Sequence, residues 1–223
     1  MSTHPITGID HCIILVNELE AARIQIERLG FVCGPRGIHS DHMGTHNHCV
    51  MLARGYFEVL SIRLPTEQNA AWRAKLREAE GLAGIALEAI DARTAYDNFN
   101  AAGIDASPPV DFARAVQAEQ GVGEANFTIT KLPTEATPGT NMFVCQHHTP
   151  EWVWLPELLT QPNGATSLQG LTVQVEQPEQ LIGAYSKVFG SARLTADNKG
   201  LRVDTERGHL EFITAERATH RFD

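Results

Sequence analysis

No apolar run in this 223-residue chain approaches the ~20 residues that a membrane-spanning helix requires. The opening segment Met1-Ser2-Thr3-His4-Pro5 lacks the basic and apolar stretches of a secretory signal. Together these absences set the expectation of a cytoplasmic protein with no membrane partner. Basic clusters are missing too, since Arg73, Lys75 and Arg77 sit among Glu67, Glu78 and Glu80, and the formal net charge is −9. An acidic chain without a positive patch has no footprint for nucleic acid. The four cysteines, Cys12, Cys33, Cys49 and Cys145, lack the paired spacing of a zinc ribbon and fall on apolar strand-like segments, where they read as small buried hydrophobes. There is no Gly-x-Ser-x-Gly elbow, no phosphate-binding loop and no dinucleotide fingerprint. The hydrophobic content of 43% is that of a globular protein, and the length suffices for one compact body or two closely joined lobes.

What the chain has is a phrase used twice. Arg54-Gly55-Tyr56-Phe57-Glu58-Val59-Leu60-Ser61 returns as Arg207-Gly208-His209-Leu210-Glu211-Phe212-Ile213-Thr214. Each copy is a glycine turn feeding an apolar strand with one acidic residue in its middle, where strand propensity would not put it. A buried carboxylate is costly unless paired or metal-bound, so such a strand is expected to face a polar cavity.

A second recurring phrase lies upstream, a short apolar strand leading into an amphipathic stretch that closes on glycine. Its instances are Gly8 to Val16 with Glu18 to Gly30, Leu82 to Ile90 with Ala92 to Gly103, and Leu168 to Val175 with Pro178 to Gly190. Aligning the strands places His11, Gly84 and Gly170 at one position, so only the first copy carries a side chain able to bind anything there. Short strand-like pieces follow each helix: 31–33, 46–53 and 56–62, then 116–118, 125–131 and 141–147, then 193–196, 201–205 and 209–215. The unit is therefore strand, helix, three strands. The expected fold class is α+β, with repeated βαβββ units forming curved, mostly antiparallel sheets and helices on the outer face. The expected division is a first unit over residues 6–64, a helical linker over 65–81, a second unit over 82–155 paired with the first, and a shorter third unit over 166–216.

His11 and Glu58 fall on the first and last strands of one unit. Adjacent strands would bring imidazole and carboxylate together, either as part of a divalent metal site, as an acid/base pair, or as a buried hydrogen bond with no ion. Four histidines, His39, His42, His46 and His48, lie just before Glu58. Trp152 and Trp154 alternate after Pro150-Glu151 and would wall an apolar pocket or pack a joint between lobes. Arg36 and Arg54 would hold a substrate carboxylate or sit on a solvated surface.

Gly8-Ile9-Asp10-His11 at the start, with Gly44-Thr45-His46-Asn47 ahead of Gly55-Tyr56-Phe57-Glu58, resembles the glyoxalase-like branch of the vicinal oxygen chelate superfamily. The resemblance implies two units facing each other around a metal site. It implies His11 and Glu58 as metal ligands, with one more from the facing unit. Aligned on Phe57 and Phe143, that unit has Val144 where the first has Glu58; His147 or Gln146, two or three residues further along, would reach back into the cavity, and His147 is the expected third ligand. The set suits Fe(II), Mn(II), Zn(II) or Ni(II). Glu58 and the loop histidine His42 are the expected catalytic groups, and Trp154, Asn47 and Arg36 the expected substrate contacts. The implied function is a metal-dependent lyase, isomerase or dioxygenase acting on a small oxygen-chelating substrate. The alternative is a metal-free protein that sequesters a small molecule, as drug-resistance members of the superfamily do. The unpaired third unit suggests a homodimer or a covered sheet edge.

Overall fold

A computed structural model describes residues 4–222. Among them no helix is long and apolar enough to cross a membrane. The first repeat comprises strand β1 (Ile6–Leu15), helix α1 (Leu19–Arg28) and strands β2 (Gly37–Ile38), β3 (Thr45–Met51) and β4 (Tyr56–Ile62). Helix α2 (Ala70–Glu78) leads to β5 (Gly81–Ala89), α3 (Ala92–Ala101), β6 (Val110–Ala118), β7 (Gly121–Lys131) and β8 (Met142–His147). After two 3-10 turns come β9 (Gly170–Gln174), α4 (Ile182–Phe189), β10 (Leu194–Asp197), β11 (Gly200–Asp204), β12 (His209–Ile213) and α5 (Ala215–Phe222).

The first two repeats share one curved eight-stranded sheet, ordered β2-β3-β4-β1-β5-β8-β7-β6, and the third forms a four-stranded sheet, β10-β11-β12-β9. The α+β class with βαβββ units is therefore the observed architecture. Central β1 pairs parallel with β4 and antiparallel with β5, and nine of its ten residues are buried. A strand covered on both faces reads as a nearly continuous apolar run, which is why Asp10 and His11 stand out in it.

One core joins the two sheets. Ile85, Leu87, Met142 and Val144 from the convex face of the large sheet pack with Phe99 of α3, Tyr185 and Phe189 of α4, and Leu210 and Phe212 of the small sheet. The third repeat is keyed onto β1 by backbone bonds, Ile9 N to Arg207 O at 3.0 Å and Arg207 N to Thr7 O at 3.2 Å. Gly8 makes this approach possible, because a Cβ there would lie 2.5 Å from both Cβ and O of Arg207. The turn of the first copy of the repeated phrase touches the third repeat as well, with Leu168 N donating to Arg54 O at 2.9 Å.

Three local expectations differ from the structure. The strand expected at 31–33 is absent because Val32 N donates to Gln161 Oε1 at 2.7 Å, tying this stretch to a distant loop; the strand forms at Gly37–Ile38. The strand expected to run to residue 215 stops at Ile213, and Ala215 starts a helix whose Arg217 pairs with Asp197 at 3.0 Å and Glu216 with Lys199 at 2.8 Å. Trp152 ends a 3-10 turn, so it and Trp154 do not alternate on a strand.

Candidate functional site

The concave face of the large sheet encloses a cavity of about 150 Å³. Aromatic and aliphatic side chains form most of its wall, among them Trp72, Phe112, Phe127 and Phe143. Its polar groups come mainly from the first repeat: His11 on β1, Glu58 on β4, Asn47 on β3, and His39 in the loop before β3. The registers bring them together. His11 is the partner of Tyr56 and its ring stacks on the tyrosine at 4.3 Å, which leaves Glu58, two residues on, facing the same way. His11 Nε2 lies 3.5 Å from Glu58 Oε2, and Asn47 Nδ2 donates to Glu58 Oε1 at 2.6 Å. His39 Nε2 is 3.9 Å from Glu58 Oε1, and its Nδ1 lies 2.7 Å from Thr45 Oγ1. Burial pushes the His39 imidazole below its ordinary range, and the nearby Arg114 charge adds to this against the opposing pull of Glu58. Gly44, at φ +65°, closes the loop that carries His39, and its carbonyl accepts from Arg63 N and Leu64 N.

Behind His11 stands Asp10. Ile9 pairs with Leu87 and His11 with Ala86, so Asp10 is the extra residue of a β-bulge. Bulges re-aim side chains, and this one lets two consecutive residues act together. His11 Nδ1 lies 2.5 Å from Asp10 Oδ1, and His147 Nε2 lies 2.9 Å from Asp10 Oδ2. Burial alone would raise the Asp10 carboxyl, but bonds from the two imidazoles and their charges hold it at about 2. An ionised Asp10 keeps the hydrogen of His11 on Nδ1, so Nε2 presents its lone pair to the Glu58 carboxylate. His11 Nε2 and Glu58 Oε2 stand 3.5 Å apart, a separation that two donor atoms sharing one cation can span.

A second place offers metal-ligand atoms. Among the described residues, Asp10, Cys145 and His147 form the group whose ligand atoms lie within 4.8 Å of one another. Burial, and then the charges of Asp10 and Glu58, push the Cys145 thiol well above its ordinary range. Both Asp10 oxygens already accept from imidazoles, although His147 Nδ1 is buried without a partner.

Five of the seven expected site residues fall into two sets. His11, Glu58 and Asn47 meet on the wall of the main cavity. His147 and Trp154 line a second, more polar cavity of about 640 Å³ at the junction with the third repeat, along with Asp10, Arg54 and Arg207. Trp154 sits edge-on to Tyr56 at 5.8 Å and to His147 at 4.8 Å. His42 is exposed in its loop, and His39 takes the place on the cavity wall. Arg36 is exposed and donates to His46 Nδ1, away from the cavity. The facing repeat is out of phase with the expected alignment: Phe143 and Cys145 line the cavity, while Val144 is fully buried in the opposite core. At Gly84 the space that a ligand would occupy is filled by Trp72, whose ring lies 3.1 Å from the position of an added Cβ. Asp10 and Arg114 were not singled out from sequence, and His39 stood out only as one of four clustered histidines. The adjacent Asp-His pair was visible, but the bulge that makes it a unit was not.

A family model described as a glyoxalase-like domain matches residues 9–189. No curated protein matches the chain. Among solved structures, a hypothetical protein from Staphylococcus aureus has a TM-score of 0.74 at 14% identity, covering 95% of this chain and 87% of that one. Methylmalonyl-CoA epimerase from Mycobacterium tuberculosis has a TM-score of 0.50 at 17% identity, covering 66% of this chain and 91% of that one.

Proposed function

The chain belongs to the glyoxalase-like domain family, and on that premise we propose that it is a metal-dependent enzyme acting on a small substrate with neighbouring oxygen atoms. One observation carries the reading: His11 Nε2 and Glu58 Oε2 face each other at 3.5 Å on the wall of a cavity, with the far side of the imidazole tied to Asp10. The fit to a divalent ion rests on this donor set, one imidazole nitrogen and one carboxylate oxygen 3.5 Å apart. His11 and Glu58 would hold the ion, and a bound ion would act as a Lewis acid on a carbonyl oxygen.

The remaining roles belong to the chain's own groups. Asp10 holds the His11 ring and its tautomer, and His147 braces Asp10 from the other side. Asn47 steadies the Glu58 carboxylate. His39, favoured in its neutral form by burial, is placed to take a proton at Nε2 from a substrate carbon beside a carbonyl. Trp72, Phe127 and Phe143 exclude water. Proton movement beside a carbonyl is lyase or isomerase chemistry, and the family's range leaves ring-cleaving dioxygenase chemistry as the second enzymatic outcome. A homodimer in the cytoplasm remains the proposed setting.

A metal-free binding protein is the competing reading, favoured by the apolar wall that the second repeat presents at Gly84, Phe143 and Cys145. Metal content by plasma mass spectrometry on tag-free protein decides between them. Stoichiometric metal is expected in the wild type, with loss in His11→Ala and Glu58→Gln and retention in Cys145→Ser. Protein that stays empty after anaerobic reconstitution would refute the enzyme reading. Metal lost in Cys145→Ser and kept in Glu58→Gln would move the site to Asp10, Cys145 and His147.

A further inference from the structure

Arg114 is the feature of the main cavity that the metal reading leaves unused. It lies on β6, half-buried, on the strand face that also carries Phe112 and Val116. Across the β6–β7 pair its partner is Ala125, which is fully buried, so no acidic side chain stands opposite. Arg23, Arg63, Arg93, Arg202, Arg207 and Arg217 each pair with a carboxylate. Among the described residues the Arg114 guanidinium has no such partner, although it lines the same cavity as Glu58. Its charge reaches the opposite wall, opposing the upward push of burial on the Cys49 thiol of β3.

The balance of charge on the wall points the same way. Glu58 is the one carboxylate lining the cavity among the described residues, against Arg114 and the exposed Lys131 at the rim. An ion held by Glu58 and His11 would make the cavity more positive still. A guanidinium offers two parallel N–H donors that match a carboxylate, and the apolar surroundings strengthen such a pair. Phe112 and Phe127, stacked at 4.8 Å, and Phe143 supply flat apolar surface between Arg114 and the polar group on β1 and β4.

We propose that Arg114 is an anion subsite and that the substrate is a small carboxylic acid with an aromatic or branched apolar body, its carboxylate on Arg114 and its other oxygens toward His11 and Glu58. The inference deepens the proposed function and depends on it only for the contacts at His11 and Glu58.

Two probes of nearly equal size separate the charge from the ring. Benzoylformate carries a carboxylate beside its phenyl ketone; 1-phenyl-1,2-propanedione carries a neutral acetyl group there. Isothermal titration calorimetry on metal-loaded and on chelator-treated protein should give tighter binding of benzoylformate in the wild type. Arg114→Gln should weaken benzoylformate by roughly 10- to 100-fold and leave the dione unchanged, with Arg114→Lys recovering part of the loss. Equal affinity for the two probes, an Arg114→Gln variant with unchanged benzoylformate affinity and native circular dichroism, or no binding of either probe would overturn the proposal. An Arg114-dependent preference that persists after chelation, in protein that takes up no metal, would support this subsite while removing the metal reading. Metal-dependent binding indifferent to Arg114 would do the reverse.

Discussion

Glu58 and Glu211 occupy the same place in the same phrase, yet one faces a cavity and the other is locked in place. On β4, Glu58 meets His11 and Asn47 and lies open to the main cavity. On β12, Glu211 accepts from Arg202 at 3.0 Å and from Arg221 of α5, with Thr172 beside it. The registers are equivalent, because His11 pairs with Tyr56 as Gly170 pairs with His209. The difference lies in what fills the partner position. At Gly170 a Cβ would come 2.7 Å from the His209 ring, so that ring takes the space an imidazole on β9 would need. The local phrase specifies a strand with an inward carboxylate, and the neighbouring strands and helix decide whether it is a ligand or an ion-pair partner.

The sharpest way to break this comparison is to neutralise both carboxylates. Glu58→Gln should abolish metal binding with little loss of stability, whereas Glu211→Gln should keep full metal stoichiometry, read by mass spectrometry. Next in size is Asp10→Asn, which removes the charged acceptor behind His11; metal affinity should fall by roughly 10- to 100-fold, as for other outer-sphere carboxylates, in a competition titration with a chromogenic chelator. Gly8→Val tests the joint between the two regions. The clash with Arg207 should cost about 1–3 kcal/mol in urea unfolding, the usual range for overpacking, while the His11–Glu58 pair stays intact by metal content.

The smallest expected effect concerns acid stability. Burial would raise the Glu211 carboxyl, but bonds from Arg221 and Arg202 outweigh it and leave it below its ordinary value. A depressed carboxylate stabilises the fold above its unfolded value and loses that contribution as pH falls through the folded one. Glu211→Gln should therefore lower thermal stability at neutral pH and show a shallower decline than wild type on acidification below about pH 4. Parallel curves for the two proteins would show that the ion-pair cluster on the third repeat contributes nothing measurable.

Periodicity and punctuation made most of the fold legible. The helices after β1 and β5 and the strand cores at 46–51, 56–62 and 125–131 follow from apolar spacing and glycine stops, which are local properties of the backbone. Phase was harder. Val144 was aligned with Glu58, but one residue of offset on a strand turns a side chain to the other face, and Cys145 is the one that lines the cavity. The helix at Ala215–Phe222 was missed because two of its side chains pair with Asp197 and Lys199, which are distant in sequence, while only Arg221 pairs with the nearby Glu211.

What the sequence determined by itself was the repeated unit, the strand placement of His11 and Glu58, and the absence of any partner for Glu211 at Gly170, because strand and turn preferences act over a few residues. Only the tertiary structure decided that a bulge turns Asp10 behind His11, that His147 braces Asp10 and that Arg114 stands without a counter-charge. Those facts depend on the pairing of β1 with β4 and β5 and on the arc of the whole sheet, which brings residues more than a hundred positions apart to one place.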